Sequence, residues 1–209
     1  MQEFVIVEGI SPEARVRVEQ TFAALKLRGV EPTYVKGRTE ALTTILGMVP
    51  KGSAVAHGTS TTLIEIGLVD RMKAPDSGYR YLNSEWTAEN DAAKRGRLRA
   101  KLSMEADDYL GSAQAICETG EVIGSDMSGN RQAFYAYGPA HVIWVAGMNK
   151  LVPALEDALR RVREVALPLE DKRVRATGGA GSYVGKLVIY ERERPGRIAL
   201  VLVGEKLGS

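Results

Sequence analysis

The sequence predicts an α/β fold, a three-layer sandwich in which a mostly parallel sheet lies between layers of helices. Short apolar runs alternate along the chain with segments whose apolar residues recur at helical spacing, and glycine or proline punctuates the joins. The run from His141 to Ala146 is apolar at almost every position, as a strand covered on both faces requires.

The elements follow in order. Ser11-Pro12-Glu13 supplies a capping hydroxyl, a proline at the first helical position and an acid in the first turn. Ala14, Val18, Phe22 and Leu25 then share one face until Gly29 ends the helix. A strand over 33–36 follows. Thr39 caps a second helix lined by Leu42, Ile45, Leu46 and Val49, and Pro50-Lys51-Gly52 ends it before a strand at 54–57. A short helix from Thr61, a strand at 79–82 and a long helix from Thr87 continue the alternation, with Ala88, Ala92, Leu98 and Leu102 turned inward. Residues 108–111, Ile116 and 121–124 read as short extended or turning segments. Beyond His141 to Ala146, Pro153 opens a helix carrying Leu155, Leu159, Val162 and Val165, which Leu167-Pro168 ends. Strands at 186–191 and 197–203 close the chain, and the link from Arg192 to Gly196 is short enough for an antiparallel hairpin. The glycine-rich segment 177–185 reads as a flexible joint, and residues 1–209 as a single domain.

Composition excludes several function classes. A net charge of +2 gives no global case for nucleic acid or an anionic membrane surface. The basic runs Lys94 to Lys101 and Arg160 to Arg163 read as solvated helix faces without interleaved aromatics, so no nucleic-acid partner is expected. Cys117 is the sole cysteine and reads as a small buried hydrophobe. No Cys/His cluster has metal-ligand spacing, so no metal is assigned, and a reducing, cytoplasmic setting is expected. Phe4 to Val7, flanked by Glu3 and Glu8, lacks the basic start and long apolar centre of a signal peptide, and no apolar run reaches the roughly 20 residues of a membrane span.

Four segments carry candidate chemistry. After the strand at 54–57, Gly58-Thr59-Ser60-Thr61-Thr62 places a glycine and four hydroxyls at a helix start, where unpaired N–H groups and hydroxyl donors suit a phosphate or carboxylate. The same hydroxyls also serve as ordinary helix caps. Glu118-Thr119-Gly120 sets a carboxylate on a turn, as nucleophile, general base or structural acceptor. Asn130-Arg131 follows a glycine turn, and Arg131 can clamp an anion bidentately or pair with Asp126. Asn149 and Lys150 follow the apolar strand at the end where parallel-sheet sites form, or act as a turn cap and a solvated charge. His57 is a candidate acid–base group or a structural histidine, and His141 reads as structural.

Taken together, Gly58-Thr59-Ser60-Thr61-Thr62-Leu63 with Glu65-Ile66-Gly67-Leu68, Glu118-Thr119-Gly120, Gly129-Asn130-Arg131 with Gly138-Pro139, Gly147-Met148-Asn149-Lys150, and the ending Pro195-Gly196-Arg197-Ile198 with Glu205 and Leu207-Gly208 resemble the lactate-utilisation (LUD) domain family and its short single-domain members. The resemblance implies a Rossmann-like sandwich similar to ribose-5-phosphate isomerases, glucosamine-6-phosphate deaminases and coenzyme A transferases. Gly58-Thr59-Ser60-Thr61 resembles the phosphate loop of the sugar-phosphate enzymes but lacks its second glycine. Glu118-Thr119-Gly120 resembles the Glu-Asn-Gly turn that carries the nucleophilic glutamate of the transferases, with threonine replacing asparagine. Some short relatives carry cysteines in the stretch matching 177–185, and this chain has none there.

Two roles follow. In one, a small carboxylate or phosphate-bearing metabolite binds between Gly58, Thr59, Ser60, Thr61 and Thr62, the Glu118-Thr119-Gly120 turn, and Asn130 and Arg131, with Asn149 and Lys150 facing it and Glu118 as the catalytic candidate, in the conversion of lactate to pyruvate. In the other, the chain is a non-catalytic assembly or regulatory subunit docking onto iron–sulfur partner proteins. Neither role specifies a cofactor for the chain itself.

Overall fold

The computed structural model describes residues 10–209, so the apolar run at 4–7 and its flanking acids lie outside the described residues. Six strands form the central sheet. In sheet order they are β1 (Val30–Val35), β10 (Ile198–Val203), β7 (His141–Gly147), β4 (Asp108–Gly111), β2 (Ala54–His57) and β3 (Arg80–Tyr81), and every pairing is parallel.

The two-residue period of a strand divides the sheet's side chains between two cores. Ile198, Leu200 and Leu202 of β10 join one, Val201 and Val203 the other. Val142, Trp144 and Ala146 of β7 likewise oppose Ile143 and Val145. The first core is completed by α1 (Pro12–Leu27), α5 (Leu82–Thr87), α6 (Ala92–Met104) and α7 (Asn130–Ala136), through residues such as Phe22, Trp86, Leu102 and Tyr135. The second is completed by α2 (Arg38–Met48), α3 (Thr61–Glu65) and α4 (Leu68–Lys73), through Ile45, Leu63, Leu68 and Met72. This is the three-layer α/β sandwich.

A smaller sheet, in the order β8 (Leu151–Val152), β5 (Ala115–Cys117), β6 (Val122–Asp126) and β9 (Lys186–Tyr190), packs against α8 (Leu155–Arg161). Cys117 is fully buried in this third core, and burial pushes its thiol pKa up to about 12, the behaviour of a packing residue.

The sheet arrangement corrects the expected C-terminal hairpin. β9 pairs antiparallel with β6 in the smaller sheet, whereas β10 enters the middle of the large sheet between β1 and β7. Their burial explains the separation. Ile198 to Val203 is buried at five of six positions, as a strand covered on both faces must be, while Lys186 to Tyr190 is only half-buried, as an edge strand is. The helix expected from Thr87 is interrupted at Ala88 to Asp91, where the Asp91 carboxylate accepts from the Lys94 N–H at 2.9 Å and starts α6 afresh; Ala88 and Ala92 are exposed.

Pro168 does not end its helix. After α8, residues Val162–Ala166 form a π-helical turn that leads into α9 (Leu167–Ala176). The wider turn accommodates a proline nitrogen that cannot donate to the preceding turn, and the helical rod continues past it. Among the described residues no helix is long and apolar enough to cross a membrane.

Candidate functional site

A cleft of about 630 Å³ opens at the carboxyl ends of β2 and β4. β2 continues into α3 and α4 on one face of the sheet. Its neighbour β4 leads through β5 and β6 to α7 on the other face. Adjacent strands whose connections leave to opposite sides open a crevice between them, the usual ligand position in α/β sheets.

The loop Gly58 to Thr62 forms one wall. A side chain on Gly58 would overlap the methylenes of Arg131, so glycine lets that arginine lie across the loop. Arg131 Nε is 2.9 Å from Asp126 Oδ2, Nη1 donates to the Thr59 carbonyl at 3.2 Å, and Nη2 donates to the Ser125 carbonyl at 3.1 Å. Asp126 also accepts from the backbone N–H groups of Ser128, Gly129 and Arg131 at 3.0, 3.1 and 3.2 Å. Burial alone would raise the Asp126 pKa, but the Arg131 guanidinium and these amides hold it below the ordinary carboxylate value. The pairing of Arg131 with Asp126 is therefore present, and it fixes the guanidinium at the cleft wall.

The helix after this loop has five residues, and Ser60 Oγ accepts from the Leu63 N–H at 3.3 Å as its cap. So short a helix has little macrodipole, and the positive character of the cleft comes from side chains.

Lys150 lies in a 3-10 turn, Met148–Lys150, directly after β7, and is only 3% exposed. Its Nζ is 3.1 Å from Thr62 Oγ1 and 3.0 Å from Ser112 Oγ, and it has no ion-pair partner among the described residues. Burial, reinforced by the charge of Arg161, lowers its pKa to about 7.

Arg95, Arg99 and Arg173 reach the cleft from α6 and α9. Arg173 pairs with Glu170 at 2.6 Å. Arg95 donates to the Glu89 carbonyl at 3.0 Å. Arg99 is half-buried near the Tyr109 phenol and makes no hydrogen bond or ion pair among the described residues. Five basic side chains thus line the cleft against two acidic side chains, and once Arg131–Asp126 and Arg173–Glu170 are set aside, Lys150, Arg95 and Arg99 make no ion pair within 4 Å among the described residues.

His57 holds the loop with both ring nitrogens. Nδ1–H donates to the Gly58 carbonyl at 2.8 Å and Nε2 accepts from the Tyr81 hydroxyl at 2.6 Å, a tautomer assigned from these partners. Burial lowers its pKa, which favours the neutral ring. His141 begins β7 at the opposite, amino end of the sheet, 3.8 Å from Asp108.

Of the residues singled out from sequence, Gly58, Thr59, Ser60, Thr61, Thr62, Asn130, Arg131 and Lys150 meet at the cleft. Glu118, Thr119 and Gly120 do not. They form the turn between β5 and β6, whose other ends carry the lining residues Gln114, Ser125 and Asp126. Four residues of strand, roughly 13 Å, separate that turn from the cleft. Glu118 Oε1 accepts from Arg17 Nε of α1 at 2.7 Å, the Thr119 carbonyl accepts from Arg28 at 3.0 Å, and Gly120 lies against the Ala24 main chain. Asn149 also points elsewhere: its side-chain amide accepts from Leu207 N–H at 3.0 Å and donates to the Leu207 carbonyl at 3.3 Å.

Sequence reasoning missed Arg95, Arg99, Tyr109, Ser112 and Arg173. The available signal was the pair Arg95 and Arg99, four residues apart and so on one helix face, inside a run read as wholly solvated. Segment 177–185 links α9 to β9 and contributes Ser182, Tyr183 and Val184 to the cleft, with the Ser182 N–H donating to Asp171 at 2.7 Å.

A family model described as LUD domain matches residues 18–203. The chain is similar in fold to a DUF162 family protein from Deinococcus radiodurans, known from a crystal structure at 1.70 Å resolution. The TM-score is 0.54 at 14% sequence identity, covering 94% of this chain and 100% of that chain. No curated protein matches the chain.

Proposed function

Because this chain belongs to the LUD domain family, which is related to lactate utilisation, we propose that it binds a small carboxylate- or phosphate-bearing metabolite in the β2–β4 cleft and serves lactate-to-pyruvate metabolism through that binding. The observation that carries this reading is the surplus of basic side chains on the cleft, with Arg95 and Arg99 making no ion pair among the described residues. A half-buried guanidinium that makes no ion pair gains a partner from an entering anion, so the cleft favours anionic over neutral ligands of the same size. Arg131, already fixed by Asp126, has guanidinium donors beyond the three in use, and the Gly58–Thr62 amides and hydroxyls stand beside it.

The test is a thermal-shift titration of the chain with lactate, pyruvate, sugar phosphates and coenzyme A derivatives. A ligand at a hundred times its Kd should add about 2.7 kcal/mol of stability. Arg99→Ala, which removes a cation with no structural partner, should leave the unliganded protein within about 0.5 kcal/mol of wild type and shrink the ligand-induced shift. No stabilisation by any of these anions would favour the contrasting role, a subunit docking onto iron–sulfur partners.

A further inference from the structure

We propose that Lys150 is a carbonyl-reactive amine that forms an imine with an aldehyde or ketone bearing a carboxylate or phosphate; the anionic half of that substrate class rests on the function proposed above. A lysine with a purely structural role inside a protein is ordinarily held by a carboxylate. Lys150 has none. Glu65, the acid that acts on it electrostatically, spends an oxygen on the Gly208 N–H at 2.7 Å. Its partners are two hydroxyls, Thr62 and Ser112, at 3.1 and 3.0 Å, and a hydroxyl serves a neutral amine as well as an ammonium because it both donates and accepts. The charges of Arg161 and Arg131 oppose protonation, and desolvation beside another cation is a recognised way to make a lysine nucleophilic.

Placement fits the same chemistry. Arg131 holds the Thr59 carbonyl and Lys150 holds the Thr62 hydroxyl, three residues along one loop and so within about 11 Å of chain. Both groups line the same cleft, so a molecule lying between them can present its anionic end to the guanidinium and its carbonyl carbon to Nζ. In the reaction the nitrogen lone pair attacks that carbon, the C–N bond forms, and the former carbonyl oxygen takes one amine proton to give a carbinolamine. The C–O bond then breaks as the remaining N–H proton is lost, and the products are the C=N bond and water. Ser112 and Thr62 are placed to pass these protons, and no oxidant or reductant takes part.

The experiment treats the full chain with pyruvate, glyceraldehyde 3-phosphate or acetone in the presence of cyanoborohydride and maps the reduced adducts by peptide mass spectrometry. The expected result is labelling of Lys150 above the other lysines by an anionic carbonyl, weaker labelling by acetone, and loss of the label in a Lys150→Arg variant shown to be folded by circular dichroism. The pyruvate and phosphate arms distinguish the two anionic groups. No adduct, or labelling spread over surface lysines without preference for Lys150, overturns the proposal, and that mapping on the wild-type chain decides even if Lys150→Arg does not fold. Stabilisation by anions without an adduct overturns the imine and leaves anion binding standing. Labelling of Lys150 by acetone as readily as by pyruvate overturns the anionic substrate class and the anion reading with it.

Discussion

The Gly58–Thr62 loop and the Glu118–Gly120 turn are built from the same materials: a glycine, hydroxyls, an end-of-strand position and a nearby arginine. In the first, Arg131 is fixed by Asp126 and stretched over the loop at a cleft with surplus positive charge. In the second, Arg17 and Arg28 fasten the turn to α1, and Glu118 is spent on Arg17. The difference lies in strand direction. Every strand of the parallel sheet ends on the cleft side, but β5 and β6 are antiparallel, so the turn that joins them lies at the end away from the cleft. Equal local composition thus lines a cleft at one place and fastens a turn to α1 at the other.

Four substitutions sharpen or break this contrast. The largest effect is expected from Asp126→Ala, which leaves Arg131 without its carboxylate and should cost about 3–5 kcal/mol in urea denaturation, while abolishing ligand-induced stabilisation. Retention of the full ligand shift in this variant would mean that the fixed guanidinium is not part of the site. Next is Lys150. The unfolded chain keeps this proton up to about pH 10.5, whereas the folded chain releases it above about 7, so stability attributable to Lys150 rises with pH across that window. Wild type should gain on Lys150→Met by a few kcal/mol between these limits, measured by denaturation at a series of pH values. A difference that stays flat with pH would show that the amine is not desolvated.

Gly58→Ala should cost roughly 1–3 kcal/mol by forcing Arg131 off the loop, with weaker anion binding by calorimetry. Glu118→Gln removes a partly exposed pair and should cost about 0–1 kcal/mol, with ligand binding unaltered. A large binding defect in Glu118→Gln would erase the distinction between the two turns.

The features legible in sequence are those set by neighbours along the chain. The Gly58–Thr62 turn, the Gly129-Asn130-Arg131 turn and the doubly covered strand at His141 to Ala146 are local patterns, and they stand where local reasoning puts them. The partition of β9 and β10 into different sheets depends on what covers each strand, which the short link between them does not show. The orientation of the Glu118 turn depends on the β5–β6 pairing, to which the turn's own residues are silent. Arg99 and Tyr109 come together with the Gly58 loop only through packing of α6 against the sheet, a long-range event with no local signature.

The π-helical turn at Val162–Ala166 has a consequence for how the cleft tolerates insertion and deletion. A π turn holds one residue more than an α turn, and each helical residue advances the direction of the side chains by about 100°. It therefore absorbs one extra residue without turning the rod: Val162, Ala166, Glu170 and Arg173 all reach the cleft although a proline intervenes. Removing a single residue from 163–165 is therefore expected to return the rod to plain α-helical winding with the same number of turns and leave Glu170 and Arg173 facing the cleft, whereas removing one residue from the α-helical stretch 167–168 would swing both by about 100°.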